Sequence, residues 1–209
     1  MDSLLQPWLP GSRKPGSQTV FSSDPPVNLV PPSIDNMTPR QGDTLNGTVG
    51  TWRGTPTGYS LTWFAGGMPA ATGSSYAIQI GNIGEVISLR IVATNANGDS
   101  SPASSGSTAA VLPLPPVNTV PPSLSISGSS FVFAPVSSDA MGCDAGSWDN
   151  SPTSFTYQWY ANGILLPDQT GGAVGLATHV GDTLHCVVTA SNAGGSTSAT
   201  SNESGTVSQ

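Results

Sequence analysis

The sequence has little charge, and the charge that it has is unevenly placed. Only 8% of the 209 residues are charged, with 5 Lys and Arg against 12 Asp and Glu. No Lys or Arg occurs from residue 113 onward, where six acidic residues lie. A nucleic-acid-binding protein needs a basic surface to neutralise phosphates. The composition therefore argues against a nucleic-acid partner.

Residues that fill helix surfaces and membrane spans are also scarce. Lys14 is the only lysine, and glutamate occurs only at Glu85 and Glu203, whereas there are 25 Gly and 19 Pro. Thr, Val, Ile and aromatic residues, which suit strands, are frequent instead. No apolar run approaches the roughly 20 residues that a membrane helix needs. We predict an all-β protein that does not insert into a membrane.

The N-terminus lacks the pattern of a secretion signal. The first three residues carry no positive charge, and the apolar pair Leu4-Leu5 is interrupted by Pro7. A protein without its own export signal would leave the cell by another route, such as assembly into a particle that is released by lysis. We therefore expect synthesis in a host cytoplasm followed by release with a particle.

A nine-residue stretch occurs twice and divides the chain. Residues 25–33 read PPVNLVPPS and residues 115–123 read PPVNTVPPS, so that eight of nine positions are identical. Repeats of this length indicate two copies of one structural unit. We predict an extended arm over residues 1–25, a first domain over 26–112 and a second domain over 113–209. The two domains are joined by a proline-rich connection, residues 111–116, which favours a semi-rigid spacer.

The arm combines prolines with apolar side chains. Pro7, Pro10 and Pro15 are incompatible with a regular helix or a central strand. The segment is nevertheless too apolar for an idle tail, and buried aromatic residues carry much of the binding energy at interfaces. We interpret the arm as a docking segment that binds a partner through Leu4, Leu5, Trp8, Leu9 and Phe21.

Alternating apolar residues predict the strands of the first domain. Tyr59, Leu61 and Trp63 share one face of a strand that ends in a turn at residues 65–67. We expect a second strand marked by Tyr76, Ile78 and Ile80, a turn over residues 51–56, and a hydroxyl-rich edge strand that reaches about residue 110. Short strands with frequent turn signals are typical of a sandwich.

A longer pattern that occurs in both repeats resembles a known family. It reads Gly-x-Trp-x-x-x-Pro-x-x-Tyr/Phe-x-x-x-Trp-Phe/Tyr, then Gly-Asp/Glu, then Val/Ile-x-Ala-Ser/Thr-Asn-Ala-x-Gly, beginning at Gly50 and at Gly146. This pattern resembles bacterial and phage immunoglobulin-like domains. The resemblance covers about 180 residues and implies two tandem immunoglobulin-like β-sandwiches. Such domains occur in tailed-phage capsid decoration, tail and fibre proteins and in bacterial surface proteins.

The resemblance also assigns core residues. Cys143, Trp159 and Cys186 follow the Cys–Trp–Cys order of an immunoglobulin core, in which the tryptophan packs on an inter-sheet cysteine pair. The first repeat has Gly47 in place of Cys143, together with Trp63 and Leu89. A disulfide is therefore dispensable to the design, and both oxidation states of Cys143 and Cys186 remain open.

No group of residues predicts catalysis or metal binding. Adjacent strand residues face opposite sides, so His185 and Cys186 should not meet as a nucleophilic pair. The two cysteines and two histidines lack paired zinc-ligand spacing. Asp139, Asp144 and Asp149 match no calcium loop and are interpreted as turn residues. We expect no enzyme activity, no cofactor and no metal.

Two tryptophans raise the question of carbohydrate binding. If exposed, Trp52 and Trp148 could stack on sugar rings. Both precede the same turn, so we favour the reading in which each covers one end of its own sandwich.

Two functional hypotheses follow. The first is a non-enzymatic structural protein of a tailed-phage virion, whose residues 1–25 dock on capsid or tail proteins and whose domains project outward. Many copies on a symmetric particle would multiply weak contacts with host-surface glycans. The second is a bacterial surface adhesin whose immunoglobulin-like domains bind a glycan or a protein.

Overall fold

The computed structural model describes residues 24–127 and 131–209, which form two β-sandwiches of the same design. The predicted all-β class with tandem immunoglobulin-like sandwiches is confirmed. No helix in this part of the chain is long and apolar enough to cross a membrane. The prediction of a docking arm through Leu4, Leu5, Trp8, Leu9 and Phe21 falls outside the described residues.

The first sandwich contains two facing sheets and a separate strand pair. Strands β2, β3 and β7 form one sheet, and β10, β8, β5 and β6 form the other, with β9 also paired to β8. Strand β1 pairs with β4. All pairings within these sheets are antiparallel. The strands are β1 Val27–Val30, β2 Ser33–Ile34, β3 Thr44–Thr48, β4 Thr51–Arg53, β5 Gly58–Ala65, β6 Met68–Thr72, β7 Ser75–Ala77, β8 Ile87–Asn95, β9 Gly98–Asp99 and β10 Ala103–Ser104.

The second sandwich repeats this plan. Strands β12, β13 and β17 face β16, β15, β18 and β19, and β11 pairs with β14. The strands are β11 Val117–Val120, β12 Ser123–Ser127, β13 Ala140–Asp144, β14 Ser147–Asp149, β15 Ser154–Ala161, β16 Ile164–Leu165, β17 Ala173–Gly175, β18 Leu184–Asn192 and β19 Gly195–Thr200.

The two cores differ at one pair of facing positions. Trp63 and Trp159 are completely buried, as is Leu89 in the first core. A β-carbon at Gly47 would lie 2.2 Å from the Leu89 side chain, so the leucine occupies the space above the glycine. In the second core Cys143 and Cys186 occupy the equivalent positions and are buried. In the first core the Leu89 side chain therefore fills the space that the side chains of Cys143 and Cys186 fill in the second core.

The repeated nine-residue stretch has a structural explanation. The Asn28 side chain donates from Nδ2 to Val30 O at 2.8 Å and to Thr51 O at 3.2 Å, across a bulge between β1 and β4. Asn118 makes the same pair of bonds in the second repeat. Gly50 lies beside this bulge at φ +73°, where a β-carbon would approach Val30 O to 2.1 Å. The repeated asparagine and the glycine of the motif therefore fix the strand that opens each sandwich.

Three local predictions for the first sandwich are wrong. Residues 51–53 form strand β4 rather than part of a turn. The strand predicted through Ile80 ends at Ala77, because Ile80–Asn82 forms one turn of 3-10 helix whose Asn82 accepts hydrogen bonds from Gln79 N and Tyr76 OH. The last strand is divided into β9 and β10 around Pro102, which has no N–H to donate to a ladder.

Candidate functional site at the junction of the two sandwiches

The first sandwich contacts the second through the loop that precedes β3. The Arg40 guanidinium donates from Nη1 to Gly194 O at 2.6 Å, in the turn between β18 and β19. Beside it, Gln41 N donates to Leu112 O at 2.8 Å, and Leu112 N donates to Pro39 O at 3.0 Å. These backbone bonds hold the start of the connection in the manner of an additional strand, and the Arg40 side chain reaches across the junction.

An asparagine holds the other end of the connection. Asn192 donates from Nδ2 to Leu114 O at 2.9 Å and to Asn150 O at 2.7 Å, while its Oδ1 accepts from Gly194 N at 2.7 Å. Asn150 adds a bond from Nδ2 to Pro115 O at 2.7 Å. The connection is thus hydrogen-bonded on both sides, and this agrees with the expected semi-rigid spacer.

The same asparagine device occurs at the start of the first sandwich. Asn95 donates to Asp24 O at 3.0 Å and to Gly54 O at 2.7 Å, and its Oδ1 accepts from Asn97 N at 2.8 Å. This explains the asparagine of the Ala-Ser/Thr-Asn-Ala motif. In each repeat the carboxamide of this asparagine links the segment that precedes the sandwich to the loop that follows β4 or β14.

A cavity of about 410 Å³ lies between the sandwiches. The first sandwich contributes Gln41, Ile80 and Ile83, and the connection contributes Pro113. The second sandwich contributes residues of the loop 150–153 and of the turn 192–193. Ile80 remains 72% exposed there, so this apolar side chain is not covered by either sandwich.

Some residues of the junction stand at positions where the two repeats differ. The Arg40 position is occupied by Val136 in the second repeat, since both residues donate N–H to the carboxylate three positions later. Five residues separate Ile78 from Gly84, whereas four separate Leu176 from Gly181. The longer loop of the first repeat contains Ile80. The junction is therefore not a simple consequence of the repeated fold.

The buried cysteine pair is close enough for thiol–thiol hydrogen bonding. A hydrogen bond with the Cys186 thiol raises the pKa of the Cys143 thiol far above its ordinary range, and burial raises it further. The same hydrogen bond lowers the pKa of Cys186. Cys143 and Cys186 are both buried and are not bonded to each other in this structure. Since the first repeat folds with Gly47 and Leu89 instead, the pair is an addition to the fold rather than a requirement of it.

The histidines do not form a catalytic group with the cysteines. His185 stacks on Tyr160 with ring centroids 4.9 Å apart on the outer face of the sheet, while Cys186 is completely buried on the inner face. His179 lies 3.2 Å from Asp182, measured between Nδ1 and Oδ2. Within residues 24–127 and 131–209, no group of three or more His, Cys, Asp or Glu could hold a metal ion.

Trp52 and Trp148 are partly buried and pack against their own cores. The Trp52 indole N–H donates to Val49 O at 2.7 Å, and that of Trp148 donates to Ala145 O at 2.8 Å. Each ring also contacts an aromatic neighbour, Tyr59 or Phe155, at about 6 Å between centroids. These contacts agree with the reading in which each tryptophan covers one end of its sandwich.

The end of the second sandwich opposite the junction carries exposed aromatic residues. Phe131 and Phe133 are 78% and 76% exposed, on either side of Val132, which packs against the core. Gly205 N donates to Val132 O at 2.9 Å and fixes this loop to the sandwich. Neither phenylalanine was singled out from the sequence, because exposure of an apolar residue in a loop leaves no periodic signal.

The comparisons with known proteins give structural similarity only. No protein-family model matches the sequence, and no curated protein matches it. An adhesin with which an Antarctic bacterium binds ice is 15% identical, with 88% of this chain and 49% of the adhesin covered and a TM-score of 0.41. The three N-terminal domains of the Highly Immunogenic Outer Capsid protein of bacteriophage RB49 are 12% identical, with 86% and 59% covered and a TM-score of 0.36.

Immunoglobulin domains 1–5 of Sidekick-1 are 17% identical, with 88% of this chain and 39% of that protein covered and a TM-score of 0.45. This chain therefore spans between about two fifths and three fifths of these proteins. At such identities the similarity concerns the fold and does not identify what this chain binds.

Proposed function

We propose that the protein is a non-enzymatic structural protein of a tailed-phage particle, which docks through residues 1–25 and displays two immunoglobulin-like sandwiches outward. The motif beginning at Gly50 and Gly146 motivates the choice of particle, because similar domains decorate phage capsids, tails and fibres. In this arrangement the end with Phe131 and Phe133 is the outermost part of the protein.

The junction is the observation that supports a display role. Arg40, Asn150 and Asn192 attach the connection and the neighbouring sandwich to each other by hydrogen bonds. A flexible linker would let the second sandwich fold back toward the particle surface. A connection that is hydrogen-bonded at both ends holds the second sandwich in a fixed orientation on the first, as outward display requires.

The docking role is tested by co-sedimentation with particles released from a lysed host culture. The full chain should sediment with the particles, and a variant that lacks residues 1–25 should remain in the supernatant. Trp8→Ala combined with Leu9→Ala should weaken co-sedimentation at least tenfold, because anchors of this kind dominate interfaces. Ser3→Ala combined with Gln18→Ala is the matched control and should bind as the full chain does. Undiminished sedimentation of the truncated protein contradicts the docking role.

The spacer role is tested separately by measuring the relative orientation of the sandwiches. Arg40→Ala should increase the spread of interdomain orientations in residual dipolar couplings and in small-angle scattering, without unfolding either sandwich. Arg53→Ala removes an exposed arginine on β4 and serves as the control. Identical couplings in Arg40→Ala and in the parent protein would contradict a role for this contact in display.

A second candidate function, that of a bacterial surface adhesin whose sandwiches themselves bind a glycan or a protein, is favoured by the uncovered apolar cavity at the junction. It predicts cell binding by the protein without residues 1–25, whereas the display proposal predicts that this truncation abolishes attachment to the particle.

A further inference from the structure

We propose that the cavity between the two sandwiches is a binding site for a neutral carbohydrate of one or two sugar units. This inference rests on the proposed function only for its biological role, because a protein that projects outward would use the cavity to bind sugars on its target. Binding at this cavity is a property of the isolated chain and can be measured without any particle.

The size and the charge of the cavity define the class of ligand. A volume of about 410 Å³ falls in the range of roughly 300–1,000 Å³ that is usual for small-molecule sites. None of the described residues that line it is ionisable. A charged ligand would lose its hydration there without gaining a charged partner, which is unfavourable. The cavity therefore selects for neutral ligands.

Polar groups with free hydrogen-bonding capacity point to hydroxyls on the ligand. The side chains of Gln41 and Ser151 line the cavity and form no hydrogen bond within the described part of the chain. Asn150 uses its amide N–H for Pro115 O, and within the same residues its side-chain oxygen accepts no bond. Carboxamides and hydroxyls both donate and accept, as sugar hydroxyls do. These groups lie beside the apolar wall rather than scattered over the surface.

An aliphatic wall completes the match with a sugar ring. Ile80, Ile83 and Pro113 present apolar surface to the cavity, and Ile80 is 72% exposed. One face of many sugar rings consists mainly of C–H groups, and burial of that face against apolar side chains is favourable. A purely polar ligand would leave this wall in contact with water.

The loop at Asn150 indicates that this chemistry is not imposed by the fold. Asn150 has a left-handed backbone at φ +61°, where the first repeat has Gly54 at φ +86°. Glycine adopts this conformation without strain, whereas other residues do so at some cost. The second repeat nevertheless has a carboxamide here, at the junction. At the equivalent position of the first repeat, glycine presents no side chain.

The binding is tested by nuclear magnetic resonance on the full chain with labelled isoleucine methyl groups. The probes are glucose, galactose, mannose, N-acetylglucosamine and lactose, with sialic acid as the anionic counterpart. We expect at least one neutral sugar to shift the Ile80 and Ile83 methyl signals with a dissociation constant of about 1 mM. Ile164 is 71% exposed and lies at the opposite end of the second sandwich, so its signal should not move.

Substitutions separate a specific site from surface adsorption. Gln41→Ala combined with Ser151→Ala should weaken binding of the same sugar at least tenfold. The matched control is Ser137→Ala combined with Thr55→Ala, which should leave binding unchanged. Ser137 is the second-repeat equivalent of Gln41, and Thr55 is the first-repeat equivalent of Ser151.

Three results would overturn the proposal: no methyl shift with any neutral sugar up to 50 times the expected constant of about 1 mM, equal shifts at Ile80 and Ile164, or unchanged affinity in the cavity variant. Loss of sugar binding with intact co-sedimentation would refute this inference alone. Intact sugar binding by a chain that fails to sediment with particles would refute the docking role alone.

Discussion

The two repeats share a scaffold but differ in how they are completed. Both open with an asparagine-bridged bulge, both bury a tryptophan, and both attach the preceding segment through a carboxamide. The first repeat fills its core with Leu89 over Gly47, whereas the second uses two cysteines. The shared residues therefore maintain the backbone, while the residues that differ change the core and the ends of each sandwich independently.

The largest expected effect tests whether the repeats fold independently. Trp63→Ala and Trp159→Ala each leave a large cavity in one core and should reduce the free energy of unfolding of that sandwich by about 3–5 kcal/mol. Denaturant unfolding followed by amide signals of each sandwich measures both stabilities at once. Each variant should leave the other sandwich within about 0.5 kcal/mol of the parent. A simultaneous loss in both sandwiches would show that they unfold as one unit.

Oxidation of the cysteine pair should strengthen only the second repeat. Closing Cys143 to Cys186 restricts the unfolded chain and should stabilise that sandwich by about 2–4 kcal/mol. Because the pKa of Cys143 is raised, its thiol should react slowly with alkylating agents at neutral pH. Mass spectrometry reports the loss of two hydrogens, and denaturant unfolding reports the stability. Cys143→Ala should abolish the gain, and a gain in the first sandwich would contradict the explanation.

The carboxamide that anchors the preceding segment should matter in both repeats. Asn95→Ala and Asn192→Ala each remove two donors and should cost about 1–3 kcal/mol of the free energy of unfolding. Only Asn192→Ala should also increase hydrogen exchange of the Gly194 amide, whose N–H donates to Asn192 Oδ1. Asn192→Asp keeps the acceptor for Gly194 N but loses both donors, so it should be as damaging as alanine. Full stability of the aspartate variant would show that the donors are unimportant.

The smallest expected effect concerns a carboxylate that only the first repeat has. Asn46 donates to Asp35 from its backbone N at 2.9 Å and from its side chain at 2.8 Å, which lowers the pKa of Asp35. Because the folded pKa lies below the unfolded one, the stabilisation is present above about pH 4 and is lost as the pH falls through the folded pKa.

The melting temperature of the first sandwich, measured by calorimetry from pH 7 to pH 2, should therefore fall slightly more in the parent than in Asp35→Asn. The second repeat has Ser125 and Gly142 at these positions and serves as the internal reference. Equal pH profiles for the parent and Asp35→Asn would contradict this assignment.

Much of the fold could be predicted from the sequence because its signals are local or repeated. The alternation of Leu61 and Trp63, the turn at residues 65–67 and the paired motifs follow directly from strand periodicity and turn chemistry. The failures lie where a side-chain hydrogen bond or a proline changes the course of the backbone. The hydrogen bond of Tyr76 to Asn82 accompanies the helical turn that replaces the predicted strand at Ile80, and no pattern within that segment reveals it.

The candidate site was not predictable in the same way. Arg40 and Gly194 are separated by 154 positions and belong to different repeats. The comparison of repeats does contain a signal, since Arg40 has no basic counterpart and the loop with Ile80 is one residue longer. These two differences show that the repeats diverge at this end of the sandwich, but they do not show which residues of the other sandwich lie opposite.

The all-β class, the duplication and the buried tryptophans could be predicted from the sequence, because each depends on composition, on period-two alternation or on direct repetition. Only the folded structure shows that Ile80, Asn150 and Asn192 line one cavity beside the contact of Arg40 with Gly194, and that Phe131 and Phe133 are exposed at the opposite end. The physical reason is that contacts between sandwiches depend on how two folded surfaces meet, and surface loops at such a junction need no periodicity.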